Sequence, residues 1–491
     1  MKMTIIDSDL LSIQEARILA ENAAEAQSRL ATFSQGKLDE IVDAVAKAVA
    51  PHAQAMAVLS SDETGYGRWE DKCVKNRFVC EVAARRLSGM RCVGIIEKDE
   101  EARMMDIGVP VGVIAALCPA TSPVSTTIYN TLIAIKSGNA IIFSPHPRAI
   151  KTMGKILDIM IEAAENAGLP EGCLAYLGTV AKGGTRELMA HPGVSLILNT
   201  GVPGMLDAAY AAGKPVIYAG TGNGPAFIER TANLSQAVED IIISKTFDHG
   251  VVASAEQSVV VDGCVAAEVK REFESRGAYF MTDEESLRFA KLFFAPDGKL
   301  NAQMVGASAQ ELAKRAGIAA PEAVRLLMVS RKYVSEADPF SREMLCPVLT
   351  WYVEDDWMEA CEKCIELLLF EGVGHTLVIH SGDEAVIEQF ALKKPVGRML
   401  VNTPATFGGM GATTNLFPSM TLGSGSAGEG ITADNVSPLN LIYVRKVGYG
   451  VRSTRSLLFG SSELQTRAAN EGDDIEALRR LLQKAISGAL N

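Results

Sequence analysis

The segment 110-PVGVIAALCPATSPVSTTIYNTLIAIKSGNAIIFSP-145 reads as a strand, a helix and a second strand. PVGVIAAL (110–117) carries no polar side chain, so a strand made from it is buried on both faces, as in parallel sheets. STTIYNTLIAIKSG (125–138) has helical length and ends on glycine, and AIIFSP (140–145) is the next apolar strand. The pattern repeats outward through a helix over 149–168, a strand over 194–200, a helix over 203–213 and a strand over 215–222. Such repetition specifies an α/β fold with a doubly wound parallel sheet. From about residue 236 a second series begins, with QSVVVDG (257–263), PVLTWYV (347–353) and HTLVIHS (375–381) as strands of a second α/β unit.

The flanks are different. Residues 10–90 have helical periodicity, with Ser34 and Asp62 as helix starts. 92-CVGIIEKDEEARMMDIG-108 reads as a hairpin, and 438-PLNLIYVRKVGYGV-451 as a lone strand that needs a partner, which another subunit would supply. Residues 452–472 read as a linker. In 473-DDIEALRRLLQKAISGALN-491, Ile475, Leu478, Leu482, Ala485, Ile486 and Ala489 share one helical face behind an Asp473 cap. That tail is either a helix packed on its own domain or a detachable docking peptide.

Composition narrows the function. The 491 residues are 48% hydrophobic and 22% charged, enough for two or three cored domains, and the net charge of −12 disfavours a nucleic-acid partner. No run of 18 apolar residues suggests a membrane span, and the N-terminus lacks a secretory signal, which points to the cytoplasm. Nine scattered cysteines suit a reducing compartment better than a disulfide framework. Cys361 and Cys364 form a CxxC, but within a helical stretch and with no second pair or histidine cluster, so no metal site is expected. Glycines close two strands, 200-TGVPG-204 and 219-AGTGNGP-225, where bare backbone can approach phosphates. No GxGxxG follows the first strand, and spacing alone leaves these as turn glycines.

Seven blocks in order settle what spacing leaves open: 109-VPVGVIAALCPATSPVST-126, 141-IIFSPHPRA-149, 191-HPGVSLILNTGVPG-204, 244-SKTFDHGVVASAEQSVVV-261, 342-REMLCPVL-349, 371-EGVGHTLVIHS-381 and 401-VNTP-404. Through them the chain, over about residues 10–450, resembles coenzyme A-acylating aldehyde dehydrogenases of the acetaldehyde and propionaldehyde type. The resemblance implies an NAD-binding domain over 1–235 that includes 92–108 as part of an oligomerisation hairpin. It further implies a catalytic domain over 236–432 and an oligomerisation strand over 433–451. The implied reaction is aldehyde + NAD + CoA to acyl-CoA + NADH, run through a cysteine thioester.

One atom of that chemistry is missing. The family motif runs TFDNG-x-x-C-A-S-E-Q, and the slot after Thr246-Phe247-Asp248-His249-Gly250-Val251-Val252 holds Ala253. A methyl group can neither attack a carbonyl nor hold an acyl group. Ala253 is a Cys→Ala change, a natural loss in a non-catalytic binding or scaffold relative, or a position whose work Ser254 has taken. The intact surrounding motif favours the first. Ser254 is the weakest, since a serine needs a positioned base.

The remaining roles are carried over residue by residue. Ser122 stands where the family's oxyanion-binding asparagine sits, in Pro119-Ala120-Thr121-Ser122-Pro123. Pro119, Thr121, Gly201, Val202, Gly204, Gly220, Thr221, Gly222 and Leu345 fall in cofactor-binding loops. Glu343 matches the glutamate on the nicotinamide ribose, and Ser144, His146 and Pro147 fall where the adenine ribose is held. No lysine stands there, so NAD is expected with NADP not excluded. His375 lies in the GHT turn as a candidate catalytic residue. The stretch 216-VIYAGTGNGP-225 lacks the glutamate that activates water in hydrolytic relatives, which suits transfer to CoA. A short aliphatic aldehyde is the expected substrate, with sulfoacetaldehyde as the alternative. A homodimer or homotetramer is expected, and the tail resembles peptides that bring related enzymes into bacterial microcompartment shells.

Overall fold

The computed structural model describes residues 7–295, 300–370, 374–454, 457–458 and 475–483. Its contacts divide the chain into two units, one formed by residues 1–94 and 108–443, the other by 95–107 and the chain from 444 onward.

The smaller unit centres on a three-stranded sheet of order β1-β2-β15, built from β1 (Gly94–Asp99), β2 (Met104–Pro110) and the late strand Ile442–Gly448, labelled β15. The strand that lacked a partner in the sequence therefore pairs with β2 of its own chain. It begins after a 3-10 turn at Pro438–Leu441, and most of its residues are exposed.

The larger unit holds two parallel sheets. The first comprises β3 (Val113–Leu117), β4 (Ala140–Ser144), β5 (Leu174–Tyr176), β6 (Val194–Thr200) and β7 (Val216–Ala219), in the order β5-β4-β3-β6-β7. The reversal of direction at β3 is the switch point of a doubly wound sheet. Every residue of β3 and β4 is buried, as their unbroken apolar runs require. Full burial of Ile114, Ile141 and Phe143 contributes about 1.5–3 kcal/mol each. The helix Pro123–Lys136 is buried along its whole length, and its last residue, Lys136, pairs with Asp39 at 2.5 Å.

The second sheet runs β10-β11-β12-β9-β8-β13-β14. Its strands are β8 (Pro225–Ile228), β9 (Ser258–Asp262), β10 (Ala278–Met281), β11 (Leu326–Ser330), β12 (Val348–Glu354), β13 (Thr376–His380) and β14 (Arg398–Val401). The chain crosses between sheets within 220–224, so the strand expected over 215–222 stops at Ala219.

Two local expectations change. Ser34 caps a helix, accepting from Lys37 N, but Asp62 lies in the last turn of the Ala53–Thr64 helix. The earlier start is set by the 3-10 turn Ala50–His52, which carries Pro51 and leads straight into that helix. The 203–213 segment is a 3-10 turn, Pro203–Met205, followed by the helix Leu206–Ala211. Cys361 and Cys364 are buried on the helix Trp357–Phe370. The expected linker lies mostly outside the described residues, and the tail is described over 475–483, where it is helical and exposed. No helix among the described residues is long and apolar enough to cross a membrane.

Candidate active site

A cavity of about 590 Å³ opens where the two sheets of the larger unit meet. From the first sheet it takes loops at strand carboxyl ends: Pro119, Thr121 and Ser122 after β3, Gly201 after β6, and Gly220 and Thr221 after β7. From the second it takes loops entering strand amino ends: Ala253 before β9, Glu343 and Leu345 before β12, and His375 before β13. The candidate catalytic residues Ala253, Ser122 and His375 thus line one cavity. Ser144, His146, Pro147, Val202, Gly204 and Gly222 do not line it. Ser144 lies beside Thr185, hydroxyl to hydroxyl, at 2.8 Å. Burial and the neighbouring Arg148 hold the His146 imidazole below its usual range. Pro147 and Gly204 are exposed, and the Val202 amide donates to Asn199.

Ala253 is presented by a segment under heavy constraint. The helix Leu234–Thr246 ends in a turn where Asp248 and His249 take φ values of 49° and 51°. Such positive φ costs a non-glycine residue about 1–3 kcal/mol and survives where the surroundings fix it. Here they do: Asp248 Oδ1 accepts from Arg68 N (2.8 Å), and Oδ2 from Lys75 Nζ (2.6 Å) and Lys72 Nζ (3.1 Å). Its own amide donates to Asp71. A Cβ at Gly67 would lie 1.9 Å from Asp248 Oδ1, so only glycine lets that carboxylate in. Three buried charges meet here, and burial lowers Lys72 to about 8.

On the other side Gly222 touches the same segment. A Cβ there would stand 1.7 Å from the Ala253 carbonyl oxygen, and the Gly222 amide donates to Glu343 Oε1 at 2.8 Å. Lys245 Nζ and Met344 N both donate to Gln257 Oε1, tying the Glu343 loop to the Ala253 segment.

Ala253 is partly exposed and lines the cavity. Ser254 also lines the cavity, but its hydroxyl donates to the Thr406 carbonyl (3.4 Å), which is no base. Cys118 and Cys346, next to wall residues, are buried, and burial pushes both thiols up to about 12. They are poor substitutes for a nucleophile.

His375 lines the cavity but is almost wholly buried. Burial, then the charge of Arg398, holds its pKa well below the ordinary value, so the imidazole is neutral. Its Nδ1 lies 2.8 Å from Thr376 Oγ1, and Arg398 Nη1 donates to the His375 carbonyl.

Two features escaped the sequence reading. Lys72 and Lys75 pass for helix-surface charges until the fold brings Asp248 to them. Arg342 lines the cavity, and its Nε is buried without a hydrogen-bond partner.

Glu256, three residues after Ala253, is buried; burial raises its carboxyl to about 7, and Oε2 has no hydrogen-bond partner. Between about pH 4.5 and 7 the folded chain therefore holds a proton that the unfolded chain releases, so this group's contribution falls as pH rises through that window. Glu256→Gln flattens the dependence, by up to about 3 kcal/mol across it. Urea midpoints at the two ends of the window check this; identical pH slopes in parent and variant would disprove it.

A family model described as the aldehyde dehydrogenase family matches residues 3–284. The bifunctional aldehyde-alcohol dehydrogenase AdhE of Escherichia coli K12 is 38% identical over 441 residues, covering 89% of this chain and 49% of that protein. The chain thus spans about half the length of that relative. An acetylating aldehyde dehydrogenase from Geobacillus thermoglucosidasius superposes with a TM-score of 0.89 at 43% identity, covering 92% of this chain and 99% of that one. A propionaldehyde dehydrogenase from the Clostridium phytofermentans fucose utilisation bacterial microcompartment gives 0.79 at 28% identity, covering 89% and 97%.

Proposed function

Because the chain belongs to the aldehyde dehydrogenase family, we propose that its cavity is built for CoA-acylating oxidation of a short aliphatic aldehyde. The observation that carries this reading is Ala253 in a cavity also lined by Ser122, Gly201 and Gly220, with no glutamate in 216–225 to activate water.

The residues present fit a dinucleotide. Gly201 and Gly220 leave bare backbone at strand ends, and a Cβ at Gly220 would press within 3.0 Å of Tyr218 and Ser424. Pro119, Thr121, Thr221 and Leu345 flank that bare backbone, and Glu343 offers a carboxylate to a ribose hydroxyl. When bound, the nicotinamide supplies the hydride acceptor. NAD is preferred: no lysine follows β4, His146 is held neutral, and Arg148 stacks over Tyr66. In this reading Ser122 donates to the carbonyl oxygen, and neutral His375, which lines the cavity, exchanges a proton with the CoA thiol.

As it stands the chain holds ligands without turnover, since position 253 offers no sulfur. Ala253→Cys tests the reading, with NADH formation dependent on both aldehyde and CoA as its signature. A second reading rests on Arg342: a guanidinium in the cavity suits an aldehyde with an anionic tail, such as sulfoacetaldehyde. Relative kcat/KM for propionaldehyde and sulfoacetaldehyde in the cysteine variant decides between them.

Two further assignments belong to the same proposal. The β1-β2-β15 sheet is the contact through which two or four copies assemble. The tail docks on a microcompartment shell: 475–483 is helical, with Ile475, Leu478 and Leu482 exposed, and a structural neighbour comes from such a compartment. Deleting 473–491 should abolish co-purification with shell protein; undiminished co-purification would refute the docking role.

A further inference from the structure

Ser122 occupies the position before the helix Pro123–Lys136, where a serine hydroxyl ordinarily caps. It does not cap here. No side-chain bond reaches the helix, and the hydroxyl oxygen lies 2.5 Å from Lys75 Nζ. An ammonium group only donates, so Ser122 Oγ is the acceptor and its own hydrogen remains for another direction. Ser122 and Ala253 line the same cavity.

The charge of Lys75 is held in place. Its Nζ donates to Asp248 Oδ2 at 2.6 Å, and the two side chains are 1% and 0% exposed. Lys72 Nζ donates to the same carboxylate oxygen and to the Thr121 carbonyl at 2.8 Å, fixing the residue before Ser122. Asp248 lies on the segment that presents Ala253. One carboxylate therefore sets both the hydroxyl loop and the nucleophile position.

We propose that Lys75 is a positioning residue that makes the Ser122 hydroxyl a charge-assisted donor to the carbonyl oxygen of a bound acyl group. The inference rests on the acyl-transfer reading. It explains how a serine replaces an asparagine amide: the shorter arm is polarised by a cation behind it. The same contact argues against Ser122 as a nucleophile with Lys75 as its base, because Lys75 Nζ already donates to the buried Asp248 carboxylate.

The test uses the chain as it is. Without a thiol at 253, bound propionyl-CoA stays intact, and isotope-edited infrared difference spectroscopy reads its carbonyl stretch. The parent should lower that frequency relative to free propionyl-CoA. Ser122→Ala should return it toward the free value, and Lys75→Met should remove most of the shift. Ser122→Asn carries its own donor, so it should restore the shift even alongside Lys75→Met; a merely structural lysine would not be rescued this way. In the cysteine variant, Ser122→Ala should lower kcat roughly 10²-fold with little change in KM. Should Lys75→Met fail to fold, the serine variants still decide. An unchanged stretch in Ser122→Ala would overturn the proposal, and so would a propionyl ester on Ser122 found by mass spectrometry. Failure of propionyl-CoA to bind at all would sink the acyl-transfer reading itself, and the inference with it.

Discussion

On the proposed acyl-transfer reading, Ala253→Cys should give a chain that forms NADH when aldehyde and CoA are both supplied, where the parent should form none. The gain should be roughly 10⁴-fold or more over the parent, the scale on which covalent catalysis depends on its nucleophile. Three observations support so large an effect. Position 253 is partly exposed to the cavity, so a sulfur adds no overpacking. No neighbouring thiol substitutes in the parent, since burial holds Cys118 and Cys346 protonated. Ser254 donates to a carbonyl and has no base beside it. NADH absorbance with each substrate omitted in turn checks the prediction. A cysteine variant that binds NADH and CoA yet forms no product would remove the proposed chemistry.

Asp248→Ala should be the most damaging single substitution to stability. It strands two buried ammonium groups, Lys72 and Lys75, that share one carboxylate oxygen. Removing one partner of a buried ion pair costs about 3–5 kcal/mol, because the charge left behind has lost water and partner together. The Arg68 amide loses its acceptor as well. Part of the loss should return on adding Lys75→Met, which takes away one stranded charge. Denaturant midpoints for the parent and both variants measure this. A midpoint for Asp248→Ala equal to the parent's would show that the cluster contributes nothing.

The central strands were legible because burial on both faces demands apolar runs, found at 113–117 and at the centres 141–143, 196–198 and 259–261 of the others. β11, LLMVS (326–330), was missed although it is a buried apolar run; the other strands missed are those with the least sequence to offer. β5 is three residues, β8 is PAFI directly after a glycine loop, and β10 and β14 are four residues at the two edges of their sheet. In the cavity, Ala253, Ser122 and Glu343 were reachable through motifs. Lys75 was not: in 69-WEDKCVKNR-77 it looks like any charge on a short helix. Its meaning comes from a carboxylate 173 residues away, a separation to which no local pattern refers. Arg342 was overlooked for the converse reason, standing beside a residue whose motif drew attention first.

The split origin of the cavity has a consequence for how such a protein can change. The Ser122 hydroxyl belongs to one half of the chain, Ala253 to the other, and the residues that lock them are scattered across both. Neither half, inherited alone, carries the whole cavity lining. Drift at 122 and drift at 253 therefore bear on one another through a shared anchor, and recombination that swapped either half for a cousin's would have to bring a matching counterpart for Asp248.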